Sequence, residues 1–363
     1  MGAPSINIAF IEKARETVAR GERGTIAMIL KDSAQATHVI SSVSDIPASL
    51  SSFNQQQIKN ALLGYDTAPK KIIVYVIQTT AEEISYTAAL AYLATQKWNW
   101  LVAPTVETDA QTEAVATWIK QQRADMGMTY KAVLPNSESN DEAIVNVVNG
   151  YTYNGTAYTA EQACARVAGI ICGTSTSRSC TYAPIPEASD CVRMTKTELD
   201  AAVDAGKLVF FWDGEKVKIC RGVTSLTSTS ANKGDSFKKI RLVEFMDMMH
   251  DDIMTTAQDN YIGKYPNTYD SKCVLVASIN EYFRTLQNET VLSTGFCEID
   301  IDKNREYIVA HGGKIVIDGQ EIDVADATEQ QIKEAPTGSI VYLRAVVRLV
   351  DAIEDIVLDV YIG

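Results

Sequence analysis

Hydrophobic and polar residues alternate at both ends of the chain, as a β-strand with one buried face requires. Near the start, Ile6, Ile8 and Phe10 fall on one face of an extended segment. A period of two residues places every second side chain on the same side of a strand. The last residues repeat this pattern, and four apolar side chains share a face there: Ile356, Leu358, Val360 and Ile362. The sequence therefore predicts a strand at each end.

The two terminal strands differ in the partners that the nearby sequence offers. Residues 339–347 form another alternating segment, which gives the C-terminal strand a plausible neighbour. The N-terminal strand is followed by a charged segment without turn signals, residues 12–23, and has no hairpin partner. Because unpaired strand edges attract further strands, we expect these arms to exchange strands with neighbouring subunits. The alternative is that both strands join the chain's own sheet.

Between the arms, the first part of the chain alternates strands and helices. Short apolar runs predict strands at residues 25–30, 71–77, 100–104 and 130–135. Periodic segments predict helices at residues 55–63, 82–96 and 110–126. Gly64 is expected to end the first helix, and Thr108 with Asp109 to cap the third. This alternation is typical of a layered α/β domain with a parallel sheet.

From about residue 135 the pattern becomes a mixture of hairpins and long helices. The predicted elements are a hairpin with an Asn-Gly turn at 151–159, a helix at 160–172, a second hairpin at 207–220, helices at 237–261 and 270–286, and β structure from Phe296 with a short helix at 329–334. An Asn-Gly pair between alternating strands is a strong hairpin signal.

The fold class is therefore mixed α+β, with an α/β layered N-terminal domain, an α+β C-terminal core domain and terminal strand arms. Four parts are predicted: an N-terminal strand arm and linker at 1–22, the α/β layered domain at 23–148, an α+β core domain with two hairpins and two long helices at 149–350, and a C-terminal strand arm at 351–363.

Charge and hydropathy exclude several partners. The net charge of −13 argues against nucleic acid, since phosphate binding requires a concentrated basic face. Residues 1–31 carry a net +2 and residues 298–363 a net −8, which suits a contact between subunits or within one chain. No uncharged apolar stretch reaches the roughly 18 residues of a membrane helix, and the start lacks the regions of a signal peptide. We expect no membrane insertion.

Seven cysteines without a secretory signal predict free thiols in a reducing compartment. Cys164, Cys172 and Cys180 recur every eight residues, but the sequence contains no C-x-x-C pair. Zinc sites usually require such pairs to hold two ligands around one metal. We therefore expect these cysteines to be small buried hydrophobic residues.

Candidate catalytic groups are few. Asp247, His250 and Asp251 share one helix face, a spacing that could ligate a divalent metal. A solvated face or a polar contact between subunits explains the same pattern. His311 precedes two glycines, as in some oxyanion-hole loops, but no nucleophile elbow accompanies it, and a turn joining two strands is favoured. The glycine-rich loops that cradle phosphates do not occur in the sequence. We expect no catalysis, no cofactor and no metal.

Five blocks of sequence, in order, support a family assignment. They lie at residues 23–32, 166–174 with 179–182, 220–227, 259–264 with 267–272, and 351–362. Together they resemble the tail sheath proteins of contractile phages and of phage-derived injection particles, in particular the compact type from Gram-positive bacteria. The resemblance covers almost the whole chain and is weakest at residues 175–191.

This resemblance implies a structural subunit of a contractile tail sheath. Such proteins form a homo-polymer of stacked six-fold rings around an inner tail tube, and they contract by subunit rearrangement, without consuming nucleotide, to drive the tube through a target envelope. Their arms add strands to neighbouring subunits. The implied partners are other copies of the chain, a tail tube protein, and baseplate and terminator proteins, in a virion tail or injection particle assembled in the bacterial host cytoplasm.

Two alternative functions stay open. The alternatives are a metal-dependent hydrolase on the α/β domain and a non-contractile structural component of a tail.

If subunits move as rigid bodies while the arms stay paired, the linkers must absorb the motion. Gly21 and Gly24 are the predicted hinges of the N-terminal linker, and residues 351–355 are the predicted joint at the other end.

Overall fold

The structure is a computed structural model that describes residues 18–19, 23–79, 84–317 and 320–362. The chain divides into two compact units. The unit that we call the α/β unit comprises Glu22–His250 with Asp351–Gly363, and the α+β unit comprises Met1–Gly21 with Asp251–Val350.

The α/β unit contains the following strands and helices in chain order: β1 Thr25–Asp32, β2 Ala36–Ile40, α1 Ser52–Leu62, β3 Lys71–Gln78, α2 Thr87–Leu93, β4 Trp100–Val102, α3 Thr112–Met126, β5 Lys131–Pro135, β6 Ile144–Val147, β7 Tyr151–Tyr153, β8 Thr156–Ala157, α4 Ala160–Gly173, β9 Ala188–Cys191, α5 Lys196–Asp204, β10 Lys207–Leu208, β11 Phe210–Trp212 and β12 Val217–Ile219. Helix α6, Ile240–Thr256, contains the boundary between the units.

Seven strands form the main sheet, in the order β10-β6-β5-β4-β1-β3-β2. All neighbouring pairs are parallel except β2 with β3. On β1, Ile26 and Met28 belong to the hydrophobic core that includes α1 and α4, whereas Ala27 and Ile29 belong to the core that includes α2 and α3. Helices thus cover both faces of the sheet, which explains why its central strands are continuous apolar runs.

Most predicted elements of this unit are present, but several boundaries differ. Helix α3 begins at Thr112 rather than residue 110, and Asp109 does not cap it. The Asp109 carboxylate instead accepts hydrogen bonds from the hydroxyls of Tyr86 and Thr105 and pairs with Lys31. The predicted domain boundary at residue 148 falls inside the unit, because β10 pairs with β6 in the main sheet.

The α+β unit consists of these elements: α7 Tyr269–Asn288, β13 Leu292–Ile299, α8 Ile301–Ala310, β14 Lys314–Ile317, β15 Gln320–Asp323, α9 Glu329–Glu334 and β16 Leu343–Leu349. Strands β13 and β16 form an antiparallel pair that packs on α7 through β13. A smaller hydrophobic core unites α8, β14 and α9 through Ile308, Ile315 and Ile332.

Two sequence-based expectations about this unit are wrong. The alternating segment at 339–347 contributes to β16, which pairs with β13, and residues 351–362 form no strand, so the suggested hairpin-like partner of the chain end is not formed. Helix α8 occupies a region for which β structure was expected. The Asp300 side chain caps α8 by accepting a hydrogen bond from the Lys303 amide, and His311 therefore lies in a turn between a helix and a strand.

Two further expectations concern membranes and thiols. Across the described ranges, no helix is long and apolar enough to cross a membrane. All seven cysteines are free thiols, and four of them are buried. Burial raises the pKa of Cys180 to about 12, so this thiol stays protonated at neutral pH.

Candidate assembly surfaces

The C-terminal arm, which we define as residues 356–362, presents its apolar side chains to solvent. Ile356, Leu358, Val360 and Ile362 are 75–97% exposed, and residues 351–362 form no strand or helix. The intervening positions are Val357, Asp359 and Tyr361. A contiguous apolar surface of this kind on a soluble protein usually marks an interaction site. The arm is therefore a candidate ligand for another protein surface.

The segment before the arm is fixed by a buried carboxylate. Glu354, whose side chain is only 6% exposed, accepts hydrogen bonds from the hydroxyls of Thr181 (2.6 Å) and Ser179 (3.2 Å). Lys239 Nζ lies 3.2 Å from the second carboxylate oxygen, and Arg221 Nε lies 3.9 Å from it. We call these four donors and Glu354 the arm anchor. They all belong to the α/β unit.

Two flanking ion pairs strengthen the attachment. Both carboxylate oxygens of Asp355 lie 2.6 Å from Arg221 Nη2, and this hydrogen bonding lowers the pKa of Asp355. Asp351 pairs with Lys239. Partial burial by itself would lower the pKa of Lys239. Its interactions with Asp351 and Glu354 outweigh this effect, so the pKa is raised. Residues 351–355 are thus held by the α/β unit in the single subunit, and their role as a joint stays a prediction.

Close packing of two loops brings the donors of the arm anchor together. Tyr182 N donates to Ile219 O, and Gly222 N donates to the Thr181 hydroxyl. A Cβ atom at Gly222 would lie 2.5 Å from Cys180 Sγ, so a side chain at this position would require the Cys180 side chain to move. Sequence reasoning missed the anchor because its hydrogen-bonding partners are 115–175 residues apart along the chain.

The β13–β16 pair in the α+β unit offers a second apolar surface. Leu292, Cys297 and Ile299 are buried on the side that packs against α7. On the other side, Phe296 and its cross-strand partner Val346 are exposed. Within the described residues this sheet contains these two strands. On β13 the Asn280 side chain bonds the backbone N–H and carbonyl of Cys297, so the outer edge of β16 is the one that another strand could join.

Two residues of the fourth resembling block fix the segment that leads into β16. Asn267 Nδ2 donates to the carbonyl oxygens of Gly338 (2.9 Å) and Ile340 (3.1 Å). The buried Lys272 donates from Nζ to Ala335 O at 3.1 Å, and burial lowers its pKa. These bonds hold residues 335–340, the segment that precedes β16.

The candidate metal face on α6 is organised differently from the sequence hypothesis. The Asp247 carboxylate accepts two hydrogen bonds from Arg123 and one from Lys131. Burial alone would raise the pKa of Asp247, but these two cations outweigh it and lower the pKa. His250 is exposed and Asp251 is half-buried. In the part of the chain that the structure describes, no group of three His, Cys, Asp or Glu side chains could hold a metal ion.

The remaining predicted site residues lie at the N-terminal end. Gly24 has a φ of +80°, is buried, and accepts a hydrogen bond from Lys70 N through its carbonyl oxygen (2.9 Å). Its role as a hinge stays a prediction. Four other residues fall outside the described residues: Ile6, Ile8, Phe10 and Gly21.

Comparisons with known proteins identify the chain. Residues 79–225 match the phage tail sheath protein central domain, and residues 232–363 match the phage tail sheath C-terminal domain. The tail sheath protein of Clostridium phage phiCD119 is 36% identical over 361 residues, which cover 98% of each chain.

Solved structures share the fold at lower identity. The sheath tail protein from Desulfitobacterium hafniense matches with a TM-score of 0.68 and 18% identity over 95% of this chain and 100% of that chain. A chain from the sheath complex of the extracellular contractile injection system PVC, in the contracted state, matches with a TM-score of 0.65 and 12% identity over 99% and 98% of the two chains.

The full-length matches define the class: this is a structural protein of a phage-type tail and not an enzyme. The hydrolase hypothesis is therefore wrong. The chain belongs to the phage tail sheath family, as the five sequence blocks indicated.

Proposed function

We propose that this protein polymerises as stacked six-fold rings around an inner tail tube and contracts by subunit rearrangement to drive the tube through a target envelope. Its partners are other copies of itself, a tail tube protein, and baseplate and terminator proteins. It acts in a virion tail or injection particle that is assembled in the host cytoplasm. Family membership supports the setting, and the exposed arm supports the mode of polymerisation.

The exposure of the C-terminal arm is the observation that carries this proposal. Burying an aliphatic side chain contributes about 1.5–3 kcal/mol, and the arm has four such side chains on one face. In a single subunit none of this free energy is gained. A neighbouring subunit whose sheet accepts the arm as an added strand would bury the aliphatic face and also satisfy the backbone hydrogen bonds of the arm.

The β13–β16 pair is the proposed receiving surface. Its exposed Phe296 and Val346 provide an apolar side, and the outer edge of β16 is the edge that an added strand would join. Because the donor arm and the receiving sheet are different surfaces of the same chain, the contact is heterologous. Heterologous contacts that do not close build helical arrays, which is the symmetry of a sheath.

Polymer formation tests the proposal directly. We expect a chain that lacks residues 356–363, and a full-length Val360→Lys variant, to remain folded but to form no tubes by negative-stain electron microscopy. Val192→Lys is the matched control, because Val192 is also an exposed valine in the α/β unit but lies outside the arm.

Tubes formed equally well by all three variants would refute a role for the arm. Tubes that always show the same axial spacing between rings, and never a shorter and wider form, would instead indicate a non-contractile tail component.

A further inference from the structure

We propose that Glu354 is a positioning residue: the arm anchor fixes the point at which the C-terminal arm leaves the α/β unit, so that only residues 356–362 are free to pair with a second copy of the chain. This inference rests on the proposed function, in which the arm joins a neighbouring subunit.

In residues 351–356 a charged side chain is buried and aliphatic side chains are exposed, which is the reverse of the usual burial pattern in a folded segment. The carboxylate of Glu354 points into the α/β unit and is nearly enclosed by its four donors. The neighbouring aliphatic residues Ile353 and Ile356 are 86% and 83% exposed. Attachment through polar groups leaves Ile353 and Ile356 available for another surface.

The donors of the arm anchor provide both direction and charge. The hydroxyls of Ser179 and Thr181 donate to one carboxylate oxygen, and the cations of Lys239 and Arg221 approach the other. Hydrogen bonds to an ionised acceptor are shorter and stronger than those between neutral groups. A glutamine at position 354 could still accept hydrogen bonds, but it would leave both cations without their buried counter-charge.

The arm anchor also determines the reach of the arm. Beyond Asp355, the seven residues 356–362 span about 23–25 Å when fully extended, at 3.3–3.6 Å per residue. Without the anchor and its two flanking ion pairs the mobile segment would begin after Val350, and its twelve residues would span about 40–43 Å. A short tether with a fixed origin keeps the arm at a higher effective concentration near its target. It also lowers the conformational entropy that is lost when the arm pairs.

Limited proteolysis with Asp-N protease, which cleaves on the amino side of aspartate, tests the arm anchor in the unassembled subunit. The full chain offers an anchored bond before Asp355 and a free bond before Asp359. All samples carry the Val360→Lys substitution, which is expected to prevent assembly, and sedimentation checks that the subunits are unassembled. We expect cleavage before Asp359 to be at least about tenfold faster than cleavage before Asp355.

Substitutions in the arm anchor should abolish this difference. With Glu354→Gln or Thr181→Val, the two bonds should be cleaved at rates within about threefold of each other. Thr181→Ser, which keeps the hydroxyl, should preserve the original ratio. Glu215→Gln is the matched control, because it makes the same chemical change on an exposed turn of the α/β unit. A ratio near one in the unsubstituted anchor, or an unchanged ratio in Glu354→Gln, would overturn the proposal.

Assembly of chains with the native Val360 tests the consequence for pairing. We expect Glu354→Gln to raise the protein concentration needed for tubes at least about tenfold, while the thermal midpoint of the α/β unit stays within a few degrees. Tubes of Glu354→Gln at the concentration of the unsubstituted chain would refute the positioning role. If the unsubstituted chain itself forms no tubes, the proposed function fails, and the protease ratio still decides whether the arm anchor exists.

Discussion

The buried ion pairs of Asp247 allow a quantitative prediction for the Asp247→Ala substitution. Arg123 Nη1 and Nη2 lie 3.1 and 2.9 Å from the two carboxylate oxygens, and Lys131 Nζ lies 2.6 Å from one of them. The side chain of Lys131 is only 2% exposed and has Glu244 as a second counter-charge at 3.0 Å. Removing Asp247 thus leaves Arg123 and Lys131 without their shared carboxylate, and only the more distant and more exposed Glu244 still pairs with Lys131.

The expected loss of stability follows from this geometry. Removing one partner of a buried ion pair lowers the free energy of unfolding by about 3–5 kcal/mol, because the other charge stays buried. Glu244 continues to pair with Lys131, and the partly exposed Arg123 can reach water, so we expect the lower end, about 3 kcal/mol. This corresponds to a change of roughly a hundredfold in the folding equilibrium.

Urea denaturation of the unassembled chain, monitored by tryptophan fluorescence, measures this loss. Trp100 is a suitable probe because its ring centroid lies 5.3 Å from Lys131 Nζ. Asp200→Ala is the matched control: Asp200 also lies 2.6 Å from a lysine, Lys196, but the two side chains are 60% and 86% exposed. Since exposed pairs are screened by solvent, we expect no measurable change for the control. Equal losses for both variants would refute the argument from burial.

The pH dependence provides a second check on Asp247. Its pKa is lowered in the folded state from the model-peptide value of 3.8, so the carboxylate stabilises the fold above that pH. The stabilisation is lost as the pH falls below 3.8 towards the folded-state pKa. The difference between the unsubstituted chain and Asp247→Ala should therefore stay constant between pH 5 and 8 and become smaller in more acidic solution. A difference that grew towards low pH would contradict the assigned charge state.

Three other predictions concern assembly and the α6 face. Deletion of residues 1–11 should abolish tubes while leaving a soluble subunit, which sedimentation and electron microscopy can check. A two-residue insertion after Glu16 should change the ratio of extended to contracted particles more than the thermal midpoint of the subunit; an unchanged ratio would exclude the N-terminal linker as the hinge. His250→Ala should lower stability by at most about 0.5–3 kcal/mol, and elemental analysis should find no stoichiometric metal that this substitution removes.

Local sequence patterns predicted the elements whose structure is decided locally. The apolar runs at 25–30 and 71–77 are buried central strands, because only a sheet covered on both faces tolerates them. The Asn-Gly hairpin is present, with φ values of 48° at Asn154 and 74° at Gly155, as its turn requires. Helix α8 was missed because its charged residues hide a narrow apolar face that includes Ile308.

The candidate site was predictable only in part. The alternation of Ile356, Leu358, Val360 and Ile362 identified an aliphatic face, and the structure places all four side chains in solvent. The pairing of β16 with β13 and the contacts of Glu354 were not predictable, since both join residues far apart in sequence. Alternation specifies which side chains share a face, but it does not specify which surface will cover them.

Asp359 gives the arm a protection against uncontrolled aggregation. Without it, residues 356–362 would be a seven-residue stretch of β-branched, aliphatic and aromatic side chains, the composition that forms cross-β fibrils. A charged residue inside such a stretch acts as a gatekeeper, because stacking identical copies in register would place like charges next to one another. Asp359 lies on the opposite side of the extended arm from its aliphatic face, so the charge can remain hydrated when that face is covered. The arm can therefore be strongly adhesive towards one sheet edge and still resist stacking on copies of itself.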